Sequence, residues 1–235
     1  MPSGIDLSQT QAVLFDVDGT LVDSLPMLIR GLGDTFERYV GFRPADAEIQ
    51  AMIGMPLRVQ LTRYHTKPVK ESELAEMIAY TIDRYDAHEH LERLFAPAVE
   101  TLRILHLAGI RTALVTSKNA EELRRFLLRF PGADDVDTTV CASDVTNPKP
   151  HPESAELACA KLNVQADRCV LIGDSIYDMQ CGRRAGLKCV AVSYGSGLRE
   201  ELLAQQPDLL LETPEALLEW ATDSLAETTC PERRS

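Results

Sequence analysis

The sequence predicts an α/β fold in which a parallel sheet, covered on both faces by helices, carries an inserted block of helices. Three observations predict it. Short apolar runs rich in β-branched residues alternate with helical patterns, and continuous rather than alternating hydrophobicity marks strands buried on both faces. One long stretch, 23–95, breaks that alternation and reads as helix throughout. Hydrophobic residues make up 45% of the 235, enough for a sizeable core.

In chain order, "AVLFDV" (12–17) is the first strand. The helical block follows, with "PMLIRGLGDTFERYVG", "ADAEIQAMIG", "PLRVQLTRYH" and "ESELAEMIAYTIDRYDAHEHLERL" as four helices. The last places Leu74, Met77, Ile78, Ile82 and Tyr85 on one face. Pro97 restarts the sheet layer with the helix "PAVETLRILHLAG". Strands then fall at 111–117, 136–143, 168–174, 188–194 and 207–212, separated by helices at "AEELRRFLLRF", 152–163 and 177–186. Gly109 and Gly186 stand where helix C-caps are expected. A last helix covers 214–223, and "AETTCPERRS" has no periodicity and is expected to be a frayed tail. The expected division is a core of 1–22 with 96–235 and a helical insert of 23–95.

The formal net charge of -12 argues against wholesale binding to nucleic acid. It leaves room for an anionic small substrate, because a bound cation reverses the local sign. No run approaches the roughly 20 apolar residues of a membrane span. The polar "MPSGIDLSQTQ" does not read as a signal peptide. The six cysteines (Cys141, Cys159, Cys169, Cys181, Cys189 and Cys230) form no CxxC pair, and several lie in apolar runs. They are expected to be buried thiols in a reducing, cytoplasmic setting. Oligomeric state is left open.

In an open parallel sheet, ligands bind beyond the carboxyl ends of the strands. The polar residues that fall there are Asp16, Asp18, Gly19 and Thr20 after the first strand, Thr116 and Ser117 after the second, Lys149 after the third, and Asp174 and Ser175 after the fourth, with Asp178 a turn later. Carboxylates gathered in one cleft repel unless a cation joins them. A hard divalent ion such as Mg²⁺ suits, since it takes oxygen ligands and is completed by water and substrate phosphate. One carboxylate could attack phosphorus to give an aspartyl-phosphate. The second could donate a proton to the departing oxygen and later take one from water. Thr116 and Lys149 could neutralise phosphate oxygens.

These residues resemble the haloacid dehalogenase-like hydrolase superfamily through four motifs in order: "DVDGT" at 16–20, "LVTS" at 114–117, "KPHPE" from Lys149 and "GDSIYD" at 173–178. The wording is most similar to phosphoglycolate phosphatase-like members with a helical cap. The resemblance implies a Rossmann-like core, a cap at 23–95 and a Mg²⁺-dependent phosphatase acting on a small phosphorylated metabolite. It implies Asp16 as nucleophile, Asp18 as general acid/base, and Gly19, Thr116, Ser117 and Lys149 around the phosphate. Its metal site would use Asp16, the Asp18 backbone carbonyl, Asp174 and Asp178. Ser117 departs from the Asn usual after the motif threonine. Asp18 argues against a dehalogenase, which lacks that second aspartate.

Blander and rival readings stand beside this. Asp-x-Asp alone fits a turn, "GDSIYD" alone fits a helix N-cap, and Lys149 between Pro148 and Pro150 fits a solvated lysine in an extended segment. A phosphomutase of the β-phosphoglucomutase type shares the same core motifs, and a phospholigand-binding protein without catalysis shares some of them. His88 and His90 do not share a helix face, and His65 and His106 stand alone, so zinc is not expected. "IGMPL" (53–57) is a turn that could offer backbone groups to a ligand, with Arg30, Arg58 and Arg63 elsewhere in the block.

Overall fold

The computed structural model describes residues 5–229 of the chain. Strand β1 (Ala12–Phe15) leads into a two-residue strand β2 (Val22–Asp23). Four helices follow: α1 (Leu25–Val40), α2 (Asp46–Gln50), α3 (Leu57–Thr62) and α4 (Glu71–Ala87). Strand β3 (Arg93–Leu94) returns the chain to the sheet. Then come α5 (Ala96–Leu107), β4 (Arg111–Val115), α6 (Ala120–Leu127), β5 (Thr138–Val140), α7 (Glu153–Leu162), β6 (Cys169–Gly173), α8 (Ile176–Arg184), β7 (Lys188–Val192), α9 (Arg199–Ala204), β8 (Leu209–Leu211) and α10 (Pro214–Thr229).

The main sheet has six parallel strands in the order β5-β4-β1-β6-β7-β8. β1 lies between β4 and β6, with Phe15 level with Leu114 and Ile172. Its side chains alternate between the two faces, as a period of two requires. Val13 and Phe15 pack with Leu102 and Leu105 of α5, Phe126 of α6, and Leu217 and Ala221 of α10. Ala12 and Leu14 pack with Ala155 and Ala158 of α7 and Met179 of α8. Both faces are thus covered, which is why the strand carries no polar residue until Asp16.

The inserted helices hold a core of their own. Met27, Leu32 and Phe36 of α1 meet Met52, Leu61 of α3, and Leu74, Met77 and Tyr85 of α4. Gly31 makes the close approach possible, because an added Cβ would stand 2.4 Å from the Tyr85 ring. Gly41 ends α1 in the left-handed region, with φ 85.

All six main strands lie within the segments expected. Three features differ. The stretch expected to be helical from 23 to 95 begins and ends in the antiparallel pair β2–β3, Val22 with Leu94 and Asp23 with Arg93, and α4 stops at Ala87. Two-residue strands are too short to show any periodicity. α9 was not expected, because six residues span under two turns. The last helix runs to Thr229, so residues 226–229 of the expected frayed tail are helical. The rest of that tail, with Cys230, lies outside the described residues. The other five cysteines are buried and unpaired. Among the described residues no helix is long and apolar enough to cross a membrane.

Phe36 is fully buried and stands edge-on to Tyr64 at 5.1 Å. Phe36→Ala is expected to cost about 3–5 kcal/mol, the usual range for emptying an aromatic site in a packed core. Urea unfolding of the two proteins checks this; a loss below about 1 kcal/mol would mean the helical block has no tight core of its own.

Candidate active site

Adjacent strands β4, β1 and β6 end at one edge of the sheet, and their extensions supply the polar groups. Asp16 follows β1, Thr116 follows β4, and Asp174 follows β6. Ser175 caps α8: its hydroxyl accepts from the Asp178 N–H at 3.2 Å, and Asp178 in turn accepts from the Ser175 N–H at 3.1 Å. The capping reading of "GDSIYD" therefore holds for Ser175 and Asp178, and the cap is what turns Asp178 back toward the sheet. Lys149 sits in a tight turn with a cis peptide to Pro150, not in an extended segment, and it is buried rather than solvated.

Asp16, Asp174 and Asp178 come together: each offers a carboxylate oxygen within 4.8 Å of the others, and all three are buried. One ammonium compensates them. Lys149 Nζ donates to Asp16 Oδ1 at 2.7 Å, Asp178 Oδ1 at 2.6 Å and the Val115 carbonyl at 2.9 Å, so its three hydrogens are all used. Asp174 Oδ2 accepts from the backbone and hydroxyl of Ser196 at 2.6 and 2.8 Å. Backbone wraps closely around Asp174. At Gly19, with φ 81, an added Cβ would stand 2.1 Å from Asp174 Oδ2, and at Gly195 2.3 Å. Gly19 thus serves this approach of chain to carboxylate.

Asp18 stands apart from the three. Its carboxylate accepts from Lys118 Nζ, 2.8 Å from each oxygen, and from the Ser24 hydroxyl at 2.6 Å. The Thr116 hydroxyl accepts from the Lys118 N–H at 3.2 Å. Ser117 donates to the Gly54 carbonyl at 2.9 Å, a direct bond from the sheet edge to the helical block. It lies in the "IGMPL" turn, where Gly54 has φ 95.

Burial raises the Asp16 carboxyl well above its ordinary value, with Lys149 opposing and the neighbouring aspartates adding. Burial and then the Asp178 charge push Asp174 up to about 7, against the Ser196 hydrogen bonds. Burial disfavours the charged forms of Lys149 and Lys118, yet Asp16 and Asp178 hold the first above its ordinary value and Asp18 and Glu122 the second. Burial lifts Glu122 to about 7, with Lys118 opposing. Three clustered carboxylates with one ammonium, two of them reluctant to ionise, are short of positive charge. Their donors are hard oxygens, so the residues fit a divalent cation of the Mg²⁺ kind.

Sequence reasoning missed Lys118, Ser196, Ser24, Glu122 and Gln60. Lys118 directly follows the threonine motif, and its position alone was a usable signal. Ser196 lies between two glycines in a loop with no periodicity, and Ser24, Glu122 and Gln60 reach the cleft only through the packing of helices. Of the arginines in the helical block, Arg58 pairs with Glu71 at the surface.

A family model described as haloacid dehalogenase-like hydrolase matches residues 13–192. Pyrophosphatase PpaX of Bacillus velezensis is 30% identical over 209 residues, covering 88% of this chain and 94% of that protein. Among solved structures, a predicted phosphoglycolate phosphatase from Haemophilus somnus 129pt is similar with a TM-score of 0.78 and 24% identity, over 90% of this chain and 97% of that one. CbbY of Rhodobacter sphaeroides, in complex with phosphate, is similar with a TM-score of 0.74 and 25% identity, over 89% and 99%.

The raised Asp174 carboxyl sets a pH dependence. Between its ordinary value and about 7 the folded chain keeps a proton that the unfolded chain releases. That contribution is therefore complete below about pH 4 and lost as pH rises through about 7. In chelator, wild-type stability is expected to fall from pH 5 to 7 with a slope approaching about 1.4 kcal/mol per pH unit beyond that of Asp174→Asn. Adding Mg²⁺ at pH 8 is expected to raise the Tm of the wild type and to raise that of Asp174→Asn much less. Parallel pH profiles, or equal shifts with Mg²⁺, would contradict it.

Proposed function

The chain belongs to the haloacid dehalogenase-like hydrolase family, and from that premise we propose that it is a Mg²⁺-dependent phosphatase of a small phosphorylated metabolite, working through an aspartyl-phosphate on Asp16. The observation that carries this reading is the cluster of Asp16, Asp174 and Asp178 at the sheet edge, with Asp16 and Asp178 paired to one buried lysine. The sequence similarity to a pyrophosphatase and the structural likeness to a protein solved with phosphate support it.

Asp16, Asp174 and Asp178 would hold the ion, which supplies charge neutralisation to the phosphoryl group. Lys149 fixes Asp16 Oδ1, which sets the rotation of the carboxylate and leaves Oδ2 to attack phosphorus. Its ammonium also lies where charge gathers on the transferring oxygens. Thr116, buried at the end of β4, adds a hydroxyl to the phosphate side. Asp18 is the acid and base. As the acid it enters the first step protonated, passes that proton to the leaving oxygen as the P–O bond breaks, and is left as the carboxylate for the second step. Its contact with Lys118 holds it in place, and as the carboxylate it takes a proton from the water that hydrolyses the intermediate.

The helical block acts as the cap. The cavity over Asp16, lined by Ile53, Gly54 and Met55 of the cap turn, offers only about 30 Å³ to the centres of water molecules. That admits about two waters. A phosphate ester needs more, so substrate enters when the cap moves out and is sealed from bulk water when it returns. The Ser117–Gly54 hydrogen bond is made in the closed form.

Asp16→Asn is expected to abolish turnover of p-nitrophenyl phosphate with Mg²⁺ while the circular dichroism spectrum and Tm stay those of a folded protein. Retained turnover would rule out the covalent route. Ser117→Ala is expected to raise KM severalfold with a smaller change in kcat, in keeping with about 0.5–1.5 kcal/mol for one hydrogen bond of the closed state. Steady-state kinetics on p-nitrophenyl phosphate measures both constants.

A further inference from the structure

Beyond the phosphate-binding edge, the same cavity continues between α1, the cap turn, α3 and α4, where Leu28, Leu57, Gln60 and Tyr85 line it together with Glu122 of α6. This half faces whatever the phosphate is attached to. Gln60 is 7% exposed. Its Nε2 donates to the Met55 carbonyl at 2.7 Å. An amide nitrogen cannot be exchanged for the oxygen against a carbonyl, so the orientation is fixed. The other end, Oε1, is buried with no hydrogen-bond partner. A buried acceptor without a donor is costly, and it is satisfied when a ligand brings an O–H or N–H to it.

The charges of the cavity point the same way. Both ammonium groups that line it are committed: Lys149 to Asp16, Asp178 and Val115, and Lys118 to both oxygens of Asp18. Arg58 is turned to Glu71 on the surface. The acceptors on the leaving-group side are the Gln60 oxygen, Asp18 and Glu122. An anionic leaving group, a second phosphate or a carboxylate, would meet carboxylates there and find no uncommitted cation among the described lining residues. A neutral group bearing hydroxyls would supply the donor that the Gln60 oxygen lacks and meet no like charge at Asp18 and Glu122.

We propose that the leaving group is a neutral polyhydroxy alcohol, of the polyol or sugar type, with a hydroxyl donating to Gln60 Oε1. The assignment rests on the phosphatase reading and narrows it. It sets this chain apart from what the name of the similar pyrophosphatase implies for that protein. A site that hydrogen-bonds a substrate hydroxyl discriminates strongly against the analogue that lacks it, because the buried acceptor is then left bare.

The test compares kcat/KM, with Mg²⁺, for glycerol 1-phosphate, propyl phosphate, phosphoglycolate and pyrophosphate, with p-nitrophenyl phosphate as the shared control. Glycerol 1-phosphate is expected to exceed propyl phosphate by at least about tenfold. It is also expected to exceed both anionic substrates. In Gln60→Met the glycerol-to-propyl ratio is expected to fall toward one. The inference is overturned if the wild type favours pyrophosphate or phosphoglycolate, if its glycerol-to-propyl ratio is near one, or if a folded Gln60→Met keeps the wild-type ratio. The wild-type ratios decide the matter alone should that variant fail to fold. If nothing is turned over, p-nitrophenyl phosphate included, the phosphatase reading itself fails and this inference with it.

Discussion

Three buried carboxylates on one ammonium is the constraint around which the sheet edge is organised. Charges of like sign inside a protein raise one another's energy, and burial adds the loss of hydration. Lys149 meets this by spending every hydrogen it has, two on carboxylates and one on the Val115 carbonyl. The last bond ties the ammonium to the end of β4, so β4, the end of β1 and α8 are joined through one side chain. Asp174 is met differently, by Ser196 and by glycines that let the chain close around it. The site is thus assembled from groups that tolerate each other only at this spacing, and the charge still owing is what a divalent ion would supply.

The sheet was legible because its strands are buried on both faces. Burial forces continuous apolar runs, and a run such as 12–15 with Asp16 directly after it marks both the strand and its end. The carboxylates of 16, 174 and 178, with Lys149, could be placed at one edge from strand order alone. What could not be read was which of them meet. Asp16 and Asp18 look equivalent in sequence, but one faces Lys149 and the other Lys118. The bend at Val17 separates them, and no pattern in the residues states its geometry. The helical block shows the same division: its helices follow from periodicity, whereas Gln60 and Tyr85 reach the cavity only by the way α1, α3 and α4 pack. The β2–β3 pair was invisible for another reason, being too short to carry a pattern at all.

Asp18 links the two halves of the molecule. It forms a bridge with Val22 at the start of β2, and its carboxylate accepts from Ser24, the residue that precedes α1. On the other side it is held by Lys118, which follows β4. The residue proposed as acid and base is therefore gripped by one group from the cap's hinge and one from the sheet. Glu92, which lies just before β3 at the second crossing, is also raised by burial, with Lys118 opposing. Both crossings between cap and sheet thus lie within the electrostatic reach of Lys118.

This arrangement ties the proposed cap movement to the hold on Asp18. The cap has a separate core, so it can swing without opening the sheet. That swing would pass through β2 and β3; Asp18 bridges to Val22 at the start of β2, and Ser24 follows Asp23 at its end. In the proposed opening, an outward movement of α1 would carry the Ser24 hydroxyl away from Lys118 and lengthen one of the two contacts to Asp18. The proposed cap movement that admits substrate would thus also change how Asp18 is held, and its return would re-form the Ser24 and Lys118 contacts of this structure.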